Sequence, residues 1–140
     1  RQAHRLGLDG HVIFRGYIDD RNEVERLLTE ADICVEPAPD NPLNRHSTFI
    51  KVLEYMAAGK PIVAFDLKET RCSAEGGCLY AKSGDVLGMA NQMERLIRDA
   101  GLRETLGLIG RQRVKAKLNW NNARRNLLHA YQNLAVNRAR

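Results

Sequence analysis

With 140 residues, 44% of them hydrophobic and 28% charged, the chain is the size of one ordinary globular domain and carries enough apolar side chains for a core. No apolar run reaches the length of a membrane span and no secretory signal opens the sequence, so the expected location is cytoplasmic, with the inner face of the membrane as the alternative. The net charge of +5 is concentrated in the last third, on Arg111, Arg113, Lys115, Lys117, Arg124, Arg125, Arg138 and Arg140. Few aromatic residues interleave with those charges, which argues against nucleic acid as a partner and for a solvated face, or one in peripheral contact with an anionic membrane surface or acidic glycolipid head groups.

Residues Arg1 to Gly7 read as the end of a helix. His11-Val12-Ile13-Phe14-Arg15 reads as a short strand closed by Gly16. Asp19 or Asp20 then caps a helix over Arg21 to Glu30, with Val24, Leu27 and Leu28 as its buried side. Asp32 to Glu36 is the next strand, ended by Pro37 and Pro39. Cys34 lies inside it and is expected to be a small buried apolar residue. The three cysteines, Cys34, Cys72 and Cys78, are too few and too irregularly spaced for a disulfide framework or a metal site, so a reduced compartment and no metal are expected.

A polar loop from Asn41 then opens into a helix with Ser47 as its N-cap. Phe49, Val52, Leu53, Met56 and Ala57 recur at the spacing of one buried face; Gly59 ends the helix and Pro61 prevents its continuation. Pro61 to Phe65 is the third strand. Lys68, Glu69, Thr70 and Arg71 lie in the loop after it, and Gly76-Gly77 turns into a fourth strand, Cys78 to Ala81. Helices follow over Asp85 to Asp99, with Val86, Ala90, Met93 and Ile97 as apolar positions, and over Leu102 to Leu118. A last helix begins near Asn119 and Trp120, with an apolar stripe of Leu127, Leu128, Tyr131 and Leu134. Strands alternating with helices on short loops predict an α/β fold, a Rossmann-like parallel sheet covered by helices.

On the helix after Ser47 the outward face carries Ser47, Lys51 and Glu54. Lys51 and Glu54 can form a surface ion pair. Alternatively, the free N–H groups of the first turn, together with the helix dipole, form an anion site. A phosphate held there leaves Glu54 near a ribose, whose two vicinal hydroxyls a carboxylate can accept.

The run Leu53-Glu54-Tyr55-Met56-Ala57-Ala58-Gly59-Lys60-Pro61-Ile62-Val63-Ala64 resembles the signature of the nucleotide-sugar-binding domain of retaining GT-B glycosyltransferases, family 4, also called glycosyl transferases group 1. The resemblance continues through His11 to Tyr17, Ala31 to Pro37 and Leu102 to Trp120, so it covers most of the chain. It implies that residues 1–140 are one partial donor-binding domain, the C-terminal domain of the GT-B fold incomplete at its N-terminus, with the N-terminal acceptor-binding domain absent. The implied chemistry is transfer of a sugar, in the full-length protein, from a UDP- or GDP-linked donor to a glycan or lipid-linked acceptor with retention, as in polysaccharide biosynthesis. No cofactor is implied, and the part alone should be inactive. A non-catalytic nucleotide-sugar-binding module is the alternative. A sugar-nucleotide epimerase is disfavoured, because the Glu-x-Met-Ala, Gly-x-Pro run sits closer to the transferases.

The resemblance names the donor-binding candidates. Ser47 and Thr48 offer amides to the diphosphate, with Lys51 beside them, and Glu54 takes the ribose. Gly16 and Tyr17 match the segment lining the base pocket, although Gly16 can equally relieve a strand end and Tyr17 pack on the surface. Arg71 faces either the donor sugar or solvent. The family carries a sugar-contacting glutamate eight residues before the ribose glutamate; here that position is His46, the one candidate for a catalytic role. The family strand order 3-2-1-4-5-6 would leave the first strand of this chain separated from the other three by two central strands that are missing. The sheet would then have a gap, so that the chain is expected to repack, to pair with another copy of itself, or to expose unpaired strand edges.

Overall fold

The computed structural model describes residues 1–138, with side chains described through residue 134; Arg140 and the side chain of Arg138 lie outside that range. Seven helices and three strands are described: α1 (Gln2–Arg5), α2 (Arg21–Glu30), β1 (Cys34–Glu36), α3 (Ile50–Ala57), β2 (Ile62–Phe65), α4 (Lys68–Ala74), β3 (Cys78–Ala81), α5 (Val86–Arg98), α6 (Ala100–Ala116) and α7 (Trp120–Arg138). The strands form one parallel sheet in the order β1-β2-β3, with Val35 opposite Val63 and Val63 opposite Leu79.

The central strand explains why both faces must be covered. Along β2 every residue is buried, and successive side chains point to opposite faces. Ile62 and Ala64 pack with Val52 and Met56 of α3, Ala74 of α4, Cys34 and Cys78. Val63 and Phe65 pack on the other side with Ala81, Met89 and Leu96 of α5, and Leu106 of α6. Burial pushes the Cys34 thiol up to about 11 and the Cys78 thiol up to about 12, as expected of small apolar residues in a core, whereas the Cys72 side chain is exposed.

Helix ends follow the sequence in several places. Asp20 accepts from the Asn22 amide at 2.9 Å, Asp85 from Gly88 at 2.8 Å and Asp99 from Leu102 at 2.8 Å. Gly59 closes α3 with φ +71, a conformation open to glycine and costly for other residues.

Four expectations are corrected. Residues His11 to Arg15 form no strand: Ile13 and Phe14 are 72% and 81% exposed, and no neighbouring strand among the described residues supplies the backbone partners an extended segment needs. The sheet is therefore a continuous one of three strands, with β1 and β3 as its edge strands among the described residues, rather than four strands interrupted by a gap. Lys68 to Arg71 open a helix instead of a loop: Thr70, Ser73 and Ala74 are buried as the helix packs beside α3, with Ala74 reaching the core at Ile62 and Cys78. On α5 the core is made by Met89 and Leu96, while Val86 and Ile97 are 72% and 65% exposed. The stripe Leu127, Leu128, Tyr131 and Leu134 on α7 is exposed in this chain, and no described helix is long and apolar enough to cross a membrane.

Candidate functional site

In an open parallel sheet the loops leaving the carboxyl ends of the strands are the usual ligand site, because helix N-termini point there. The loop after β1 runs from Pro37 to Phe49 and delivers α3. It does so differently from the sequence expectation. A 3-10 turn over Asn44–His46 draws Ser47 backward: its hydroxyl donates to Leu43 O at 2.7 Å and its amide to Asn44 O at 3.3 Å. Ser47 thus closes the 3-10 turn instead of capping α3, and its amide is occupied. Phe49 is the N-cap and supplies no side-chain acceptor.

The consequence is a bare helix start displaced by two residues. The first α3 bond runs from the Val52 amide to Phe49 O at 3.0 Å. The amides of Thr48, Phe49, Ile50 and Lys51 lie ahead of it and bond to no other group among the described residues. Thr48 remains exposed, its hydroxyl 3.5 Å from Glu69 Oε2. Unpaired N–H groups at a helix start carry partial positive charge and favour an anion.

Glu54 is exposed on the second turn of α3. It lines a cavity of about 610 Å³ together with Ile18, Asp19, Val24, Leu28 and Thr29, between the loop before α2, α2 itself and α3. Gly16 and Tyr17 stand just outside. Gly16 has φ +67, Tyr17 is 90% exposed, and the Tyr17 hydroxyl lies 3.4 Å from Asp19. His46 is exposed at the end of the 3-10 turn.

Lys51 does not pair with Glu54. Its Nζ lies 2.7 Å from Oε2 of Glu36, the last residue of β1, whose side chain is 1% exposed. That contact is an ion pair outside hydrogen-bond alignment; the other carboxylate oxygen, Oε1, accepts the Ala38 amide at 3.0 Å. Glu36 went unnoticed in the sequence, although an acidic residue closing the apolar run Ile33-Cys34-Val35 was the available signal.

Arg71 belongs to a different place. Its guanidinium grips Asp66 at 2.7 and 2.5 Å and stacks 4.2 Å from the Tyr80 ring centroid. Those hydrogen bonds hold the Asp66 carboxyl below the usual range. With Asp40, Lys82 and Ser83 these groups line a second hollow beyond β2 and β3, which does not include Glu54. No cluster of metal-ligating side chains occurs among the described residues.

A parallel sheet covered on both faces, with a bare helix start and a carboxylate-lined cavity beside it, defines a Rossmann-like α/β domain. Residues 1–99 match the family model described as glycosyl transferases group 1, and the chain belongs to that family. It is 26% identical over 134 residues to the uncharacterized glycosyltransferase MJ1607 of Methanocaldococcus jannaschii, covering 93% of this chain and 32% of that protein. It is 28% identical over 132 residues to phosphatidyl-myo-inositol mannosyltransferase of Mycobacterium leprae, covering 93% and 34%. Among solved structures it resembles sucrose-phosphate synthase from Thermosynechococcus elongatus, with TM-score 0.79, 26% identity and coverage of 96% and 33%. It shares its fold with Anabaena Alr3699/HepE in complex with UDP, with TM-score 0.80, 20% identity and coverage of 94% and 35%. The chain thus spans about a third of the length of the curated relatives it matches.

Proposed function

We propose that this chain is the donor-binding part of a glycosyltransferase that moves a sugar from a nucleotide diphosphate donor to a glycan or lipid-linked acceptor with retention of configuration. The observation that carries the proposal is Glu54 standing free at the wall of a cavity, one turn along a helix whose first amides are unpaired. The diphosphate sits on the amides of Phe49, Ile50 and Lys51. The nucleoside lies in the cavity against Val24 and Leu28, and Glu54 accepts both ribose hydroxyls. As the bond to the sugar breaks, negative charge grows on the leaving diphosphate, and the fixed dipoles at the helix start stabilise it there. His46 and Thr48, at the mouth of the same loop, are the groups proposed to meet the donor sugar. Arg71, committed to Asp66 and Tyr80, is left out of this arrangement.

The acceptor is proposed to be held by residues outside this chain, so turnover is not the appropriate test. Calorimetric titration with UDP- and GDP-linked sugars is. Saturable binding of donors carrying one of the two bases is expected, with the free nucleoside diphosphate retaining most of the affinity. Binding of neither class would contradict the proposal.

A further inference from the structure

Glu36 calls for an explanation. A carboxylate that is 1% exposed is costly unless compensated, and here a single amide and one ammonium compensate it. Its placement is specific. Glu36 closes β1, at the carboxyl end of the sheet, and the ammonium it holds comes from Lys51, in the first turn of α3. Lys51 is half exposed and its Nζ lies 5.5 Å from the Phe49 ring centroid, so the side chain is drawn across the helix start rather than extended into solvent. A lysine on an exposed helix turn ordinarily samples many rotamers; this one is tethered to Glu36 and lies against the ring of the N-cap residue, Phe49.

We propose that Glu36 is a positioning residue: it fixes the Lys51 ammonium at the α3 N-terminus, where Lys51 supplies a full positive charge to the donor's phosphates. The inference rests on the donor-binding reading of that helix start and adds a cationic phosphate contact and the buried group that orients it. Glu36 touches no ligand. Its effect passes through Lys51, so a charge-neutral substitution at Glu36 weakens phosphate binding even though it removes a negative charge from the neighbourhood. Simple electrostatics without orientation predicts the opposite sign.

The test compares wild type, Glu36→Gln, Lys51→Met and the double variant, titrated with the nucleoside diphosphate and with the corresponding nucleoside. Glu36→Gln is expected to weaken the diphosphate about 3- to 10-fold and leave the nucleoside unchanged, and to add nothing in the Lys51→Met background. A merely structural role would weaken both ligands together. Unchanged or tighter diphosphate binding by Glu36→Gln would overturn the inference, as would an undiminished effect in the double variant. Should Glu36→Gln fail to fold, Lys51→Met, on a half-exposed side chain, carries the test. An unchanged diphosphate-to-nucleoside ratio in that variant overturns the inference on its own. If wild type binds no nucleoside diphosphate, the donor reading and this inference fall together. If Glu54→Ala abolishes binding while Glu36→Gln and Lys51→Met do not alter it, only this inference falls.

Discussion

Replacing Glu54 by Ala is expected to weaken donor binding about 10- to 100-fold while leaving the melting temperature unchanged. Glu54 is exposed and makes no hydrogen bond or ion pair within the described residues, so nothing in the folded chain depends on its carboxylate. Substitutions at such sites usually fall within about 0.5 kcal/mol. In the donor complex proposed above, the same carboxylate would accept two ribose hydroxyls, each a hydrogen bond to a charged group contributing roughly 1.5–3 kcal/mol. The bonds share one side chain and are not additive, which sets the expected loss near 1.4–2.8 kcal/mol, the free-energy equivalent of roughly 10- to 100-fold. Glu54→Gln keeps one acceptor and should fall between. Calorimetry gives the affinity and a thermal scan the stability; equal affinity of wild type and Glu54→Ala would remove Glu54 from the site.

Gly107→Ala should be the most disruptive small substitution in the chain, costing about 3 kcal/mol and lowering the melting temperature by roughly 10 °C. A Cβ at Gly107 would lie 2.1 Å from the Gly59 carbonyl oxygen and 2.9 Å from its carbon. Those are backbone atoms of the turn that ends α3. The turn is held by the Gly59 amide on Met56 O and the Lys60 amide on Tyr55 O, both at 2.9 Å, and by the positive φ of Gly59. It cannot move without pulling α3 off the sheet. One turn further along α6, Gly110 rests against Met56, which is fully buried, so α3 and α6 approach closely over two consecutive glycine contacts. Gly101→Ala is the control. In the first turn of α6 its Cβ meets nothing nearer than Asp99 Oδ1 at 3.5 Å, and the gain in helix propensity should leave stability equal or slightly higher. Thermal unfolding of the two variants side by side checks both expectations, and equal melting temperatures would contradict the close-packing argument.

The pattern of residues made the middle of the chain legible. Val52 and Met56 repeat at helical spacing, the run Ile62 to Phe65 is uninterrupted by polar groups, and Gly59-Lys60-Pro61 separates the two, so α3 and β2 could be placed within a residue or two. What failed depended on partners remote in sequence. His11 to Arg15 has strand composition, but strands are made by neighbours, and none of the described strands lies beside it. Ser47 is a good capping residue whose hydroxyl the preceding 3-10 turn diverts to Leu43 O. Helix α4 buries Thr70 and Ser73, polar residues that no hydrophobic period reveals. At the candidate site, Glu54 stood out through spacing and family likeness. Its cavity was not, since Val24, Leu28 and Thr29 reach it from another helix. Lys51 was named, but its partner Glu36 comes from the preceding strand and is adjacent only after folding.

Backbone amide shifts recorded while the nucleoside diphosphate is added test most directly whether one helix start and one carboxylate hold the donor. The largest changes are expected at Phe49, Ile50 and Lys51, with a second group at Glu54 and at Ile18 to Leu28 across the cavity. Changes confined to the hollow around Arg71, Tyr80 and Lys82, with Ile50 and Glu54 still, would contradict it.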